Sequence, residues 1–188
     1  MGINGKYKVI VIGGSAGSFP VMVSILNQLN ANFQIPIVMC LHRLKQFRHG
    51  FVEALSLQSN IKIIEPDDKM PIKPGCAYLA PANYHLLAEL GYTFALSTDD
   101  MHKFSRPSID LTFETFSYAY REKMVGIILS GANNDGAAGL LKCKKRGGLT
   151  IIQNPNEASV KTMVESCLNL FQPDMILNTK EIIKTINS

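Results

Sequence analysis

Ser15, His42 and Asp135 carry side chains that can act on one another. A serine hydroxyl attacks a carbonyl slowly near neutral pH, so a nucleophilic serine needs a base beside it. Histidine fills that role because its neutral ring accepts a proton and later returns it. An aspartate on the far side of the imidazole holds the useful tautomer and stabilises the imidazolium that forms. Together the three would carry acyl transfer through a covalent intermediate, with a rate that rises with pH through the ordinary histidine range. Each also has a plain reading: Ser15 as a small turn residue, His42 as a surface histidine at a strand end, and Asp135 as a helix N-cap, where aspartate is favoured.

Ser15 is positioned by the stretch KVIVIGGSAGSFP, from Lys8 to Pro20. A β-branched run, Val9 to Ile12, passes through two glycines into the serine, and Ser18 and Pro20 then open a helix, which puts Ser15 on a sharp strand-to-helix turn. The spacing Gly13-x-Ser15-x-Gly17 fits a nucleophile elbow, whose small flanking residues let the chain bend and leave the hydroxyl open. A glycine-rich turn at a helix N-terminus can equally cradle a phosphate on free N–H groups, and this stretch alone leaves both readings open. Against the phosphate reading, the third glycine of G-x-G-x-x-G and the lysine of a P-loop are missing. His42 also stands where a dinucleotide site needs an acidic residue.

The other elements follow a strand-helix rhythm. Met22, Ile25, Leu26 and Leu29 recur at helical spacing over residues 19–30, and residues 35–41 form a continuous apolar run of the kind buried in parallel sheets. Phe47, Phe51, Ala54 and Leu55 suggest a helix, and residues 61–64 a third strand. Residues 76–80 read as a strand, and residues 85–90 and 92–96 around Gly91 as an antiparallel hairpin. A polar loop, 97–107, precedes a helix capped by Ser108 and carrying Ile109, Phe113, Phe116 and Tyr120. A strand at 124–129 leads through Ser130–Gly136 into a helix that stops at Gly147-Gly148. A strand at 149–153, a helix near 159–170, a strand at 174–177 and a helix from Thr179 complete a single α/β domain over residues 1–188. In an open parallel sheet ligands bind outside the carboxyl ends of the strands, and Ser15, His42 and Asp135 each come just past such an end.

Composition narrows the alternatives. With 188 residues, 46% of them hydrophobic, the chain can bury one sizeable core. No apolar run approaches the roughly 20 residues of a membrane helix, and no signal peptide opens the chain, so a cytoplasmic protein is expected. The four cysteines, Cys40, Cys76, Cys143 and Cys167, lack metal-binding spacing and read as small buried hydrophobes. The net charge of +4 is modest; Lys142, Lys144, Lys145 and Arg146 cluster at a helix end, where cations suit the dipole, and no nucleic-acid partner is implied. His49 and His102 compete poorly with His42, whereas His85, opening a hairpin strand, is a secondary site candidate.

The chain order serine, histidine, aspartate differs from the ordinary α/β-hydrolase order, in which the acid precedes the histidine. The stretches VIGGSAGS, His42 after the second strand, IKPGCAYLAPANYHLL, SRPSIDLTFET, LSGANNDGAAGL and GGLTIIQNP occur in sequence over nearly the whole chain. In this combination the chain closely resembles the catalytic domain of the CheB-type chemotaxis protein-glutamate methylesterases. The resemblance implies a modified doubly wound, mostly parallel sheet with helices on both faces and one antiparallel hairpin. It implies hydrolysis of glutamate methyl esters on the cytoplasmic helices of methyl-accepting chemoreceptors, releasing methanol, with glutamine deamidation as a further activity. Ser15, His42 and Asp135 fall on the family's catalytic positions, and backbone N–H groups of Ala16 and Ala132 on its oxyanion hole; no cofactor or metal is implied.

Three departures accompany the resemblance. The regulatory receiver domain that usually precedes the family's catalytic domain is not expected here, so control would fall to a separate response regulator or partner. The turn before the aspartate, usually a methionine followed by a small residue, reads Ala132-Asn133. The family's Met-Pro-Arg near the later helix reads Met163-Val164-Glu165, which bears on substrate choice. A non-catalytic receptor- or kinase-binding domain of the same fold is the alternative. A net positive chain facing the glutamate-rich receptor helices that the resemblance implies is expected to bind more weakly as salt rises, and if the Lys142–Arg146 cluster contributes, reversing two of its charges should slow association.

Overall fold

The strand that leads into Ser15 is the middle of the sheet. In the computed structural model, which describes residue 3, residues 5–42 and residues 51–188, β1 (Val9–Gly14) is buried along its whole length. A strand apolar on both faces can be accommodated only where both faces are covered, and two hydrophobic cores cover this one. Ile10 and Ile12 face one core with Met22, Ile25 and Leu26 of α1 (Phe19–Asn27), while Val9 and Val11 face the other.

Next come β2 (Ile37–Leu41), α2 (Phe51–Ser56), β3 (Lys62–Ile64) and β4 (Cys76–Leu79). Phe47 and His49, included in the sequence reading of this region, lie outside the described residues. The hairpin follows as β5 (His85–Ala88) and β6 (Phe94–Ser97), then α3 (Ile109–Tyr120), β7 (Met124–Ile128) and α4 (Ala137–Lys145). The chain closes with β8 (Leu149–Gln153), α5 (Thr162–Leu170), β9 (Met175–Leu177) and α6 (Thr179–Ile186).

The seven-stranded main sheet has the order β3-β4-β2-β1-β7-β8-β9 and is parallel throughout. From β1 the chain winds outward to one edge and then returns to build the other half from β7, so the winding reverses between β1 and β7. Such a switch point splays the loops at the strand carboxyl ends and opens a crevice. Helices α1 and α6 line one face and α3, α4 and α5 the other, each through a stripe of buried side chains. A fully buried aliphatic or aromatic side chain contributes roughly 1.5–3 kcal/mol, so these stripes hold the helices to the sheet. The antiparallel pair β5–β6 is a separate two-stranded sheet rather than part of the main one, and it contributes Leu86 and Phe94 to the core that also holds Phe113 and Phe116 of α3.

Two sequence expectations need correction. Ser18 precedes α1 but does not cap it with its side chain; the hydroxyl turns back and donates to the Ser15 carbonyl at 2.7 Å. Two of the four cations of the Lys142–Arg146 cluster are paired with carboxylates of the chain. Lys142 pairs with Glu114 at 2.6 Å, Lys144 with Asp174 at 2.7 Å, and Arg146 donates to Ser117 Oγ at 2.7 Å while lying over the Tyr118 ring. Because α4 runs back from the carboxyl ends of the strands, its last turn lies at the opposite end of the sheet from Ser15. These cations are therefore poorly placed to steer a partner toward that serine.

Candidate active site

Ser15 leaves β1 on a turn held from three sides. Its N–H donates to the Ser130 carbonyl at 2.9 Å, and its own carbonyl accepts from Ser18 N at 3.1 Å as well as from the Ser18 hydroxyl. Ser130, at the end of the neighbouring β7, donates its hydroxyl to the Ala16 carbonyl at 2.7 Å and accepts from Val160 N at 2.9 Å, tying the turn to the loop before α5. Gly17 has φ +80°, and a Cβ there would lie 2.7 Å from Ser159 Cβ, so both conformation and space require glycine. The half-buried Ser15 hydroxyl has no hydrogen-bond partner among the described residues.

His42 is brought beside Ser15 by sheet register. Gly14 of β1 is paired with Leu41 of β2, and His42 N donates to the Gly14 carbonyl at 3.2 Å, so Ser15 and His42 are the next residues on adjacent strands. Neighbouring strands lie about 4.8 Å apart. On its far side His42 Nε2 lies 2.8 Å from Asp135 Oδ2. An ionised carboxylate only accepts, so Nε2 carries the hydrogen and Nδ1 presents the lone pair. Nδ1 has Asn133 Nδ2 at 3.4 Å and Ser105 Oγ at 3.5 Å.

Asp135 is completely buried, and its surroundings explain how it stays charged. Oδ1 accepts from Ser108 Oγ at 3.0 Å and Asp110 N at 3.0 Å; Oδ2 accepts from Ile109 N at 2.7 Å and from His42. Burial by itself would raise its pKa. The hydrogen bonds from His42, Asp110 and Ile109, with the nearby imidazole charge, outweigh burial and hold the carboxyl below its ordinary value. Asp135 thus caps a helix, but α3 rather than the helix that follows it; α4 has Gly136 at its own N-cap. The exchange is reciprocal, since Asp110 Oδ1 accepts from Gly136 N at 2.9 Å and Gly139 N at 2.7 Å at the start of α4. Gly139 permits that approach, because a Cβ there would lie 2.5 Å from the Asp110 carbonyl oxygen.

A depressed carboxyl ties folding to pH. The folded state favours ionised Asp135, so its contribution is fully present above the unfolded aspartate value of about 3.9 and is lost as pH falls through the lower folded value. The stability deficit of Asp135→Asn relative to wild type should therefore be large near neutrality and shrink below about pH 4, as read from urea midpoints over a pH series. A deficit constant across that range would contradict the assignment.

His85, the secondary candidate, is 1% exposed, and both its ring nitrogens bond to backbone groups rather than to Ser15, His42 or Asp135. Its Nδ1 accepts from Ser108 N at 3.1 Å and Nε2 donates to the Asp100 carbonyl at 3.1 Å, which fixes a neutral tautomer. It therefore braces the N-cap of α3, the same Ser108 whose hydroxyl reaches Asp135. His85→Leu would leave a buried N–H and a carbonyl unpaired and should cost about 1–3 kcal/mol in denaturant unfolding, whereas a polar replacement able to accept from Ser108 should recover part of it. An unchanged midpoint for His85→Leu would show that water replaces both bonds.

The N–H groups of Ala16 and Ala132 flank this edge on exposed turns, and neither donates to a partner among the described residues. His102 Nε2 lies 3.4 Å from Asp110 Oδ2, forming with Asp135 a group that could approach a cation; the Lys103 ammonium, 2.6 Å from the same Oδ2, already supplies the positive charge there. The cysteines are not rival nucleophiles. Burial pushes the Cys143 and Cys167 thiols up to about 12, and Cys40, also buried, higher still, while Cys76 is only partly covered. Sequence reasoning missed Ser105 as a neighbour of the imidazole, and it treated Asn133 only as a departure in the turn. The position of Asn133 two residues before Asp135 was the available signal, since Asn133 Oδ1 accepts from Asp135 N at 3.1 Å.

Fold and relatives together define a class, hydrolases of carboxylic esters built on a parallel α/β sheet. More narrowly, the chain belongs to the CheB methylesterase family, whose model matches residues 10–186. A Leptospira interrogans protein is 44% identical over 177 residues, covering 94% of this chain and 92% of its own length. The protein-glutamate methylesterase/protein-glutamine glutaminase of Nitrosospira multiformis is 30% identical over 182 residues, 96% of this chain but 51% of that longer protein. Among solved structures, the Thermotoga maritima CheB methylesterase catalytic domain superposes with a TM-score of 0.90 at 30% identity, covering 96% of this chain and 97% of that one. No helix among the described residues is long and apolar enough to cross a membrane.

Proposed function

We propose that residues 1–188 act as one catalytic domain that hydrolyses glutamate methyl esters on the cytoplasmic helices of chemoreceptors, and deamidates glutamines there, with Ser15, His42 and Asp135 as its triad. The observation that carries this reading is the Asp135–His42 contact of 2.8 Å one strand away from a serine whose hydroxyl has no partner among the described residues, at the sheet's switch point.

In the acylation step Ser15 Oγ attacks the ester carbonyl as its proton passes to His42 Nδ1. The oxyanion that forms is met by the Ala16 and Ala132 N–H groups, fixed before charge develops. Collapse of this intermediate breaks the bond to the methoxy oxygen, which takes the proton from His42 and leaves as methanol. Water then attacks the acyl-enzyme, giving one proton to Nδ1, and collapse returns that proton to Ser15 and releases the glutamic acid side chain, which gives its remaining proton to solvent as the carboxylate forms. With a glutamine side chain the same sequence expels ammonia in place of methanol. Asp135 stays ionised throughout and keeps Nε2 protonated, so the base is Nδ1.

Methanol release from a methylated receptor cytoplasmic domain, together with labelling of Ser15 by a fluorophosphonate, tests the reading. Binding of that domain without methanol release or labelling would instead identify a non-catalytic interaction domain of the same fold.

A further inference from the structure

Beside the site the chain presents a phenylalanine in an unusual way. His102 and Ser105 close a two-residue turn, His102 N donating to the Ser105 carbonyl at 3.2 Å and Ser105 N to the His102 carbonyl at 2.9 Å. The two central residues, Lys103 and Phe104, have φ +48° and +61°. This is the tight turn in which Asn-Gly ordinarily stands, because a side chain in the left-handed region crowds its own carbonyl. Here lysine and phenylalanine occupy it. A conformation held against local preference persists only where its surroundings fix it. The fixings are visible: Lys103 Nζ lies 2.6 Å from Asp110 Oδ2 and donates to the Asn134 carbonyl at 3.1 Å, and Arg106 donates to the Asp99 carbonyl at 2.8 Å and to Asn83 Oδ1 at 3.0 Å.

The effect is to hold the Phe104 ring in water, 98% exposed, one residue from Ser105, whose hydroxyl is 3.5 Å from His42 Nδ1. Alongside lies an open groove of about 340 Å³ between α4 and α5, lined by Lys103, Asn134, Ala137, Ala138, Ser166 and Leu170 among others. Its walls are mostly short side chains, with Leu170 half-exposed; Met101, on the same loop as Phe104, is also half-exposed.

The geometry points to a docking face, made of Phe104 and the α4–α5 groove, for an amphipathic helix of the protein that bears the ester. This rests on the proposed function and adds to it a residue-level contact outside the triad. Continuity selects the occupant. Lys103 and Asn134 line the groove, and Ser105 and Asn133, close to them in the chain, approach the imidazole, so a partner that reaches the site along this groove meets the Lys103-Phe104 turn. A helix suits the face because residues three and four apart lie about 5–6 Å from one another on its surface. One apolar residue can meet the phenyl ring while the esterified glutamate a turn away enters the site.

The test compares Phe104→Gly with wild type in three measurements. Glycine relieves the left-handed backbone, so Tm should hold or rise by roughly 2–4 °C, removing misfolding as an explanation. Turnover of 4-nitrophenyl acetate should stay within about twofold, while kcat/KM on a methylated receptor cytoplasmic fragment should fall about tenfold or more, through KM. Affinity for that fragment, measured by fluorescence anisotropy with Ser15→Ala in both backgrounds, should fall by a similar factor. Equal losses on both substrates, or unchanged affinity, would overturn the docking face. Failure of wild type to turn over either ester would sink the hydrolase reading alone, leaving the anisotropy comparison to judge docking; if wild type did not bind the fragment either, the docking face would fall as well.

Discussion

Ser15→Ala should lower ester hydrolysis by a factor on the order of 10⁴ to 10⁶ and abolish fluorophosphonate labelling, because the nucleophile of the proposed triad is then missing. Among the described residues Ser105 Oγ also lies near the imidazole, 3.5 Å from His42 Nδ1, but on the 97–107 loop. His42→Ala should come close to the same loss. The double variant Ser15→Ala/His42→Ala should add almost nothing to the serine variant, since a nucleophile and its base act as a unit and lose their value together. The measurement is single-turnover or steady-state methanol release from protein whose purity excludes contaminating esterase. If Ser15→Ala kept a tenth of wild-type turnover, the triad would be refuted, and Ser105 with the 97–107 loop would become the next place to look.

Asp135→Ala should be costly in both activity and stability, which separates it from the serine variant. Wild-type Asp135 receives two backbone N–H groups from α3, the Ser108 hydroxyl and the His42 ring, all in the interior. Removing the carboxylate leaves these donors without a partner. Breaking a buried charged network in this way costs about 3–5 kcal/mol. Activity should fall about 10²- to 10⁴-fold, less than for Ser15→Ala, because an imidazole freed from the carboxylate still presents an unprotonated Nδ1 part of the time. Urea unfolding and kcat on the same preparation check both effects. Ser15→Ala, whose side chain has no partner to lose, should leave the urea midpoint nearly unchanged. A stable but equally inactive Asp135→Ala would mean that the carboxylate serves His42 and that water, rather than Asp135, can satisfy the α3 N-terminus.

The docking contact and the triad make different demands on the chain, and this bears on the departures in the sequence. Glu165, one of the departures read from the sequence, lies on α5, the helix that forms one side of the groove near the Lys103-Phe104 turn. The Ala132-Asn133 turn is closer to the chemistry. Ala132 N–H remains free of partners among the described residues, and Asn133 approaches the base nitrogen, so the changed turn alters the immediate surroundings of His42 without removing the backbone donor.

What the sequence determined by itself was local. The run Val9–Ile12 followed by glycines and Ser15 encodes a strand and a sharp exit, because β-branched residues favour the extended chain and glycine allows the bend. The parallel α/β alternation, the cap of α3 by Ser108 and the placement of Ser15 and His42 just past strand ends were legible for the same reason: each depends on residues a few positions apart. Tertiary structure decided the rest. Whether Asp135 would cap α4, its own helix, or α3 is invisible in the spacing, because it depends on the close approach of two helices that Gly139 allows. Which imidazole nitrogen meets the carboxylate, the bracing of Ser108 by His85, and the exposure of Phe104 on a left-handed turn are likewise contacts between segments far apart in the chain. The Lys142–Arg146 cluster makes the same point in reverse. It looked like an acidic partner's landing site because sequence shows charges but not their partners, and Glu114 and Asp174, each about 30 residues away, take up two of them. Long-range pairings of this kind are fixed by how helices pack on the sheet, and local pattern carries no record of that choice.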